Sequence, residues 1–168
     1  MLYDKTKLFI RESMLYDYKE LISSNNFLFQ LKPALRYEVV YSLFTRFIDN
    51  DFHYLFKHEV DGYRLETGNE FITKFVSQLY CRVFCPNQSV VKRGDYFTEL
   101  YMIFKGKVML SCTVKDENEF FTLHPTNFFG DYQILLGLKA SEQYKATTST
   151  EFTYCYCIKK KNFLKLLN

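Results

Sequence analysis

The sequence contains no tryptophan, only three prolines and six glycines, and no long uninterrupted run of apolar residues. A segment that crosses a bilayer needs about 18 consecutive apolar residues, so none is expected here. The first thirteen residues, MLYDKTKLFIRES, carry charges where a secretory signal has an apolar stretch. We therefore expect no signal peptide and a soluble chain.

A disulfide scaffold is not indicated, because the five cysteines are an odd number and lack the spacing of such a scaffold. We expect buried free thiols and a reducing compartment. The three histidines are dispersed along the chain, so no metal site and no cofactor requirement is predicted. A cysteine nucleophile such as Cys85 or Cys112 paired with His124 lacks a third orienting group, and no enzyme activity is expected.

An excess of one charge is also missing, since the formal net charge is only +3. Basic residues are scattered and form no stripe with aromatic residues, which argues against nucleic acid as a partner. The one basic cluster, Lys159-Lys160-Lys161, precedes a helical pattern. It is typical of a solvated helix start.

Hydrophobic periodicity divides the chain into two parts. Up to residue 80 the spacing is helical: the stretch PALRYEVVYSLFTRFI, with Pro33 in its first turn, repeats apolar residues on one face. That stripe comprises Leu35, Val39, Val40, Leu43, Phe44, Phe47 and Ile48. A second helix, NEFITKFVSQLY, is predicted with Asn69 as its N-cap, and an earlier one runs through Met14, Leu15, Tyr18, Leu21 and Ile22. The polar stretch KHEVDGYRLETGNE between helices is predicted to be a loop.

From residue 82 the period shifts toward two, in short segments separated by glycine turns. RVFCPNQSVVKRGD indicates strand, turn and strand, and ELYMIFKGKVMLSCTV indicates two strands joined at Lys105-Gly106-Lys107. NEFFTLHPTNFFGD and EFTYCYCIKK add further strands, and the chain returns to helical spacing in KKKNFLKLLN. The predicted fold is α+β, with a helical region over 1–80 followed by an antiparallel, jelly-roll-like β-roll with short helices over 81–168.

The segment NFFGDYQILLGLKASEQYKATTST carries the chemistry. A strand followed by Gly130-Asp131 and a short helical turn presents backbone N–H groups that can hold a phosphate. The nearby cations, Lys139 and Lys145, are point charges without the bidentate fork of arginine. Asp131 would repel an anion unless it faces a sugar hydroxyl.

The order of these motifs resembles the cyclic-nucleotide-binding domain. Pro86, the Gly94-Asp95 turn, the segment Glu99–Val108 (ELYMIFKGKV) and Phe129-Gly130-Asp131 occur in the family's order, in which ELYMIFKGKV corresponds to a hairpin. The resemblance places a cyclic nucleotide, cAMP or cGMP, against Phe129, Gly130, Asp131, Tyr132, Gln133, Gln143, Lys145, Ala146 and Thr147.

The helical half resembles a different part of the same proteins. LKPALRYEVVYSLFTRFIDNDFHYLF is similar to the C-linker helix that joins the pore to this domain in voltage-gated-like potassium channels and cyclic-nucleotide-gated channels. That resemblance implies a domain on the cytoplasmic side of a membrane channel. It also implies a homotetramer assembled through the helical region and a pore domain upstream.

The sequence departs from the family where the phosphate would bind. Members that bind nucleotide have glutamate after Phe-Gly and the pattern Arg-Thr/Ser-Ala, whereas this chain has Asp131 and no arginine near Ala146. FGD and YCYCIKKKNFLKLL are similar to ether-à-go-go-type channels, where the domain keeps the fold without using the ligand. We expect a gating module of a tetrameric cation channel with weak or absent cAMP and cGMP binding. The alternative is a cyclic-nucleotide sensor that regulates a channel, kinase or exchanger.

Overall fold

The computed structural model describes residues 30–60, 63–114, 117–147 and 152–167. They fall into two compact units, residues 30–79 and residues 80–167. The helix predicted from Met14 to Ile22 lies outside the described residues. Within the described ranges, no helix combines the length and the apolar character that a bilayer span requires.

The first unit begins with helix α1, Pro33–Thr45, and Pro33 occupies its first turn as predicted. A π-helical turn, Arg46–Asp51, and a 3-10 turn, His53–Leu55, follow directly. Phe44 has non-helical angles (φ −112°, ψ 17°), so the helical phase changes there. The predicted stripe is divided: Val40, Phe44, Phe47 and Ile48 are buried, whereas Leu35 and Leu43 are exposed.

Two predictions for the rest of this unit are wrong. The segment predicted as a loop contains an antiparallel hairpin of β1, Lys57–Val60, and β2, Tyr63–Glu66. Strand propensity is weak in so short a polar segment, and cross-strand pairing decides its structure. Helix α2 is Asn69–Val76, and its N-cap is Gly68, without a side-chain cap. Asn69 is the first helical residue, because the extended backbone of Gly68 already makes the turn into the helix.

Phenylalanine rings form the centre of the first unit. The ring of Phe47 lies 4.8 Å from that of Phe52, 6.1 Å from Phe56 and 6.4 Å from Phe75. Beside this cluster, the Asp49 carboxylate accepts hydrogen bonds from the Tyr41 hydroxyl and, at 2.7 Å, from the Lys57 ammonium. Burial raises the pKa of Asp49, but these two bonds outweigh it and the pKa lies below its usual value.

The second unit is a β-roll of two four-stranded antiparallel sheets. The first sheet has the order β3-β10-β5-β8 and the second has the order β4-β9-β6-β7. The strands are β3 (Tyr80–Phe84), β4 (Ser89–Val91), β5 (Glu99–Lys105), β6 (Val108–Val114), β7 (Glu117–Leu123), β8 (Phe128–Phe129), β9 (Gln143–Ala146) and β10 (Thr153–Lys159). Helix α3 (Asp131–Leu136) lies between β8 and β9, and α4 (Lys160–Leu167) ends the unit. The predicted α+β class with an antiparallel roll is confirmed.

The connection between β5 and β6 differs from the hairpin that the sequence predicts. The two strands are joined at Gly106, but β5 pairs with β10 and β8, whereas β6 pairs with β7 and β9. Gly106 has a φ of +81°, and an added Cβ would lie 2.7 Å from the Thr153 Cα atom. The chain therefore passes from one sheet to the other at a point where only glycine fits.

Strand β10, which lies between β3 and β5 in its sheet, is buried on both faces. Cys155 and Cys157 are fully buried, as predicted for free thiols, whereas Cys85 is exposed and corrects that prediction. Burial raises the pKa of both buried thiols. On the other face of β10 the Tyr156 ring stacks on Phe104 at 4.3 Å.

Substituting Gly106 tests the crossing between the sheets. Gly94 is a matched control, because its φ of +85° is similar but an added Cβ meets nothing within 4 Å. Both alanine variants adopt an unfavourable φ, and only Gly106→Ala adds a clash with the backbone of β10. We expect the free energy of unfolding in urea to fall by about 1–3 kcal/mol more for Gly106→Ala than for Gly94→Ala. Equal losses would contradict the close approach.

Candidate functional site

The predicted phosphate-binding segment is built from β8, α3 and β9. Gly130 caps α3 with a φ of +97°, and an added Cβ would lie 2.8 Å from the Phe97 ring. Gly137, also left-handed, ends the helix after six residues. The sharp turn at Gly130 therefore joins a strand to a helix whose first N–H groups have no intrahelical acceptor. Asp131, half-buried, places its carboxylate in that same first turn.

An aromatic stack fills the interior of the roll beside this turn. The Phe129 ring lies between Tyr101 (5.0 Å, planes 10° apart) and Tyr144 (4.8 Å, 13°). Phe97 packs edge-on against Tyr144 at 5.3 Å and against Phe129 at 6.3 Å. All four residues are at least 95% buried. The four rings, Phe97, Tyr101, Phe129 and Tyr144, are called the aromatic stack below.

Gln133 connects α3 to this stack. Its side chain is 2% exposed, and Nε2 donates a hydrogen bond to the Tyr144 hydroxyl at 3.3 Å. The Oε1 atom is buried and has no hydrogen-bond partner within the described residues. Burial raises the pKa of Tyr144 to about 12, and nearby Tyr132 adds to the rise, although the bond from Gln133 opposes it. The phenol is therefore neutral at physiological pH.

Strand alternation separates the predicted β9 residues into two groups. Tyr144 and Ala146 are buried, whereas Gln143 and Lys145 are half-buried on the opposite face. Gln143 or Lys145 was expected to lie nearest to the place of the missing arginine, and of these two only Lys145 is a cation. Its ammonium belongs to the face turned away from the aromatic stack. The interior position on β9 is filled by Tyr144, which the sequence-based prediction of the site did not include.

Backbone groups at the end of β9 are engaged within the roll. The Ala146 N–H donates to the Gln88 carbonyl at 2.9 Å, and the Thr147 N–H donates to the Lys107 carbonyl at 3.1 Å. Asn87 in turn donates its N–H to the Thr147 carbonyl at 3.2 Å. A phosphate that used the Ala146 or Thr147 amide would have to replace one of these bonds.

The structure thus places the predicted residues as follows. Phe129, Gly130 and Gln133 meet Tyr144 at one side of the roll interior. Tyr132 is half exposed on α3, and Gln143 and Lys145 lie on the outer side of β9. Phe97, Tyr101 and Tyr144 join the site without having been predicted. The alternation of QYKA was the available signal for Tyr144, because one face of a strand holds either Tyr144 and Ala146 or Gln143 and Lys145.

Metal ligands do not cluster in the part of the chain that the structure covers: no three side chains of histidine, cysteine, aspartate or glutamate come together there. Two charged side chains beside Tyr101 are paired with each other. Glu99 accepts hydrogen bonds from the Tyr80 hydroxyl and, at 2.6 Å, from Arg82 Nη1.

Solved structures similar to this chain are regulatory parts of protein kinase A. The regulatory domain of the Toxoplasma gondii kinase with cAMP is 13% identical over 60% of this chain and 39% of its own, with a TM-score of 0.53. The regulatory subunit of a cAMP-independent protein kinase A from Trypanosoma brucei is 17% identical over 60% of this chain and 36% of its own, with a TM-score of 0.53. A variant of that subunit with three substitutions, one introducing an arginine, has cAMP in its A site and is 16% identical at 0.53.

These likenesses show a shared fold, and the chain spans less than two fifths of each of these three structures. No match is found among curated proteins. The family model of the cyclic nucleotide-binding domain matches residues 81–168, more than half of the chain. This range contains both sheets of the roll, the Gly130 turn and the aromatic stack. The chain therefore belongs to the cyclic nucleotide-binding domain family.

Proposed function

We propose that this chain is a regulatory domain, without enzyme activity, that binds cAMP and cGMP weakly or not at all. We further propose that it serves as the gating module of a tetrameric cation channel of the potassium-channel type. The observation that carries the first proposal is the position of Tyr144, whose buried ring stacks on Phe129 inside the roll. A neutral ring thus fills the place where an anion would need a cation.

The family pattern Arg-Thr/Ser-Ala supports this reading of Tyr144. With Ala146 at the alanine of that pattern, Tyr144 stands where nucleotide-binding members have their arginine. A guanidinium forms two charge-assisted hydrogen bonds with a phosphate, and a phenol cannot replace its charge. Hydrogen bonds to charged groups contribute about 1.5–3 kcal/mol, so their loss lowers the affinity about 10- to 100-fold.

Neighbouring groups further lower the expected affinity for a nucleotide. The Asp131 carboxylate lies in the first turn of α3 and contributes to the raised pKa of Tyr144, which indicates a negative potential at that hydroxyl. A nucleotide phosphate would meet the same potential. Moving Tyr144 aside would also break its ring contacts, each worth about 0.5–1.5 kcal/mol, and its bond with Gln133.

The Trypanosoma brucei structures provide a parallel in a protein of the same fold. The regulatory subunit described as cAMP-independent has cAMP in its A site once three substitutions, one of them to arginine, are present. In this chain, Tyr144→Arg would introduce the same type of residue.

Replacing Tyr144 with arginine should create cyclic-nucleotide binding. For the unmodified protein we expect a dissociation constant for cAMP and cGMP weaker than about 1 mM by isothermal titration calorimetry. Tyr144→Arg should tighten it about 10- to 100-fold, because the guanidinium supplies the missing cation. Tyr144→Phe keeps the ring without the charge and should not bind. Micromolar binding by the unmodified protein that is lost in Lys145→Ala would contradict the proposal.

Alkaline unfolding should report the buried phenol. The pKa of Tyr144 rises from 10.0 to about 12. The contribution of the protonated phenol to the free energy of unfolding is therefore complete below pH 10 and is lost as the pH rises through 12. Two pKa units correspond to about 2.7 kcal/mol. We expect the unfolding free energy of the unmodified protein to fall by about 2–3 kcal/mol more than that of Tyr144→Phe between pH 9 and 12. Tyr80 and Tyr101 titrate in both proteins, so only the difference is diagnostic. Parallel curves would exclude a buried Tyr144.

The channel assignment rests on the resemblance of residues 31–56 to a C-linker helix. In the structure this stretch contains α1, and it leaves Leu35 and Leu43 exposed (47% and 39%) at positions of the predicted apolar stripe. We propose that copies of this chain cover these side chains in a tetramer, with the pore domain upstream and this domain on the cytoplasmic side. The second candidate is a regulatory subunit of a kinase, which the fold of the similar solved structures favours.

Oligomeric state distinguishes these two candidates. Light scattering over a range of protein concentrations should show tetramers for a channel module. Leu35→Glu should shift the equilibrium to monomers without unfolding the chain, because the side chain is exposed, whereas the exposed neighbour Glu38→Gln should leave it unchanged. A monomer at every concentration, together with a stable complex with a kinase catalytic subunit, would favour the kinase candidate.

A further inference from the structure

A cleft of about 430 Å³ opens on the β-roll away from the residues of the predicted phosphate-binding segment. Its walls come from the end of β3, from β4 and from the loop that leads into β5. The residues used in the argument are Arg82, Ser89, Lys92, Asp95, Tyr96 and Tyr101. This volume is within the usual range of small-molecule sites, about 300–1,000 Å³.

Arg82 is held in place at this cleft while part of it stays accessible. Its Nη1 donates to Glu99 Oε2 at 2.6 Å, and the side chain is 46% exposed, whereas that of Glu99 is only 13% exposed. Glu99 also accepts a hydrogen bond from the Tyr80 hydroxyl. A guanidinium has five N–H donors, and one of them is sufficient for this bond. The carboxylate therefore fixes the orientation of a cation that retains donors for a second anion.

Other groups at the cleft complement an anion with a planar body. Lys92 adds a second positive charge, and the Tyr96 ring is 57% exposed. The Ser89 hydroxyl oxygen is buried and has no hydrogen-bond partner within the residues that the structure describes. An unmet buried hydroxyl is a group that a bound molecule or an ordered water satisfies. Asp95 is the one carboxylate in the lining and opposes an anion.

We propose that this cleft binds a small molecule in which a single phosphate or carboxylate group is attached to a planar or apolar body. The Arg82 guanidinium binds the anionic group, Lys92 adds attraction, and the Tyr96 ring contacts the body. The lining of this cleft includes none of residues 127–150, although Tyr101 of the lining also belongs to the aromatic stack, and the proposal does not depend on whether the domain binds cyclic nucleotide.

Hydrogen bonds also join the loop at this cleft to the connection between α3 and β9. The Gly94 N–H donates to the Ala140 carbonyl at 2.8 Å, and the Ala140 N–H donates to the Asp95 carbonyl at 2.8 Å. The Lys139 ammonium lies 5.3 Å from the centre of the Tyr96 ring. A molecule in the cleft thus touches the loop to which the end of the α3–β9 connection is bonded. Occupancy of the cleft is positioned to change the geometry of that connection.

The test is calorimetric titration with phenyl phosphate, with inorganic phosphate and phenol as comparison probes, at constant ionic strength. We expect saturable binding of phenyl phosphate that is tighter than that of either comparison probe. Arg82→Gln should weaken it about 10- to 100-fold, because bonds to a charged partner are lost. Lys92→Gln should weaken it up to about fivefold, as an exposed charge does, and Asp95→Asn should tighten it by a similar factor.

Arg93→Gln is the matched control, since Arg93 is exposed next to the cleft and is not part of its lining. It should leave binding unchanged. If Arg82→Gln fails to fold by circular dichroism, the opposite effects of Lys92→Gln and Asp95→Asn carry the test. The proposal is overturned if phenyl phosphate does not saturate, if phenol binds as tightly, or if Arg93→Gln weakens binding as much as Lys92→Gln.

Discussion

The stacking of Phe129 between Tyr101 and Tyr144 is the contact on which the rest of the roll depends. Tyr101 and Phe129 belong to one sheet and Tyr144 to the other, so the three rings join the two layers face to face. Gly130 follows immediately, and its left-handed turn is compatible with the Phe97 ring only because it has no side chain. The same rings that hold the sheets together thereby occupy the interior beside the α3 turn. A substitution in these rings therefore affects both the packing between the sheets and the space beside the α3 turn.

Local patterns in the sequence predicted the elements of the roll well, because alternation and glycine turns act over a few residues. They predicted β3 to β7 and β10 as strands, although not the short strands β8 and β9, and they predicted the turn at Gly130 and the return to helix after β10. They could not assign β5 and β6 to different sheets, because pairing with β10 and β9 involves residues about 30–60 positions away. The role of Tyr144 was missed for a related reason. Alternation divides β9 into two faces, but only its pairing with β6 and β4 decides which face is interior.

The helical unit shows the opposite balance between local and tertiary effects. Its first helix buries Val40 and Phe44 but leaves Leu35 and Leu43 of the predicted apolar stripe exposed, before the π-helical turn at Arg46–Asp51 begins. Capping preferences favoured Asn69, yet the chain enters α2 through the extended Gly68. At both helices the type of element matched the prediction, whereas the buried face of α1 and the N-cap of α2 did not. Helix existence was therefore predictable, whereas helix phase and boundaries were not.

The central position of β10 has a consequence for how the roll is made during synthesis. This strand, Thr153–Lys159, lies between β3 and β5 and is the last strand of the unit to leave the ribosome. Until then β3 has no partner and β5 has an open edge, so the backbone groups of β3 and of one edge of β5 stay unpaired while the roughly 70 residues between β3 and β10 are made. Folding of this unit is then governed by the entropy of closing a long loop, and the nascent chain is most exposed to aggregation just before β10 emerges.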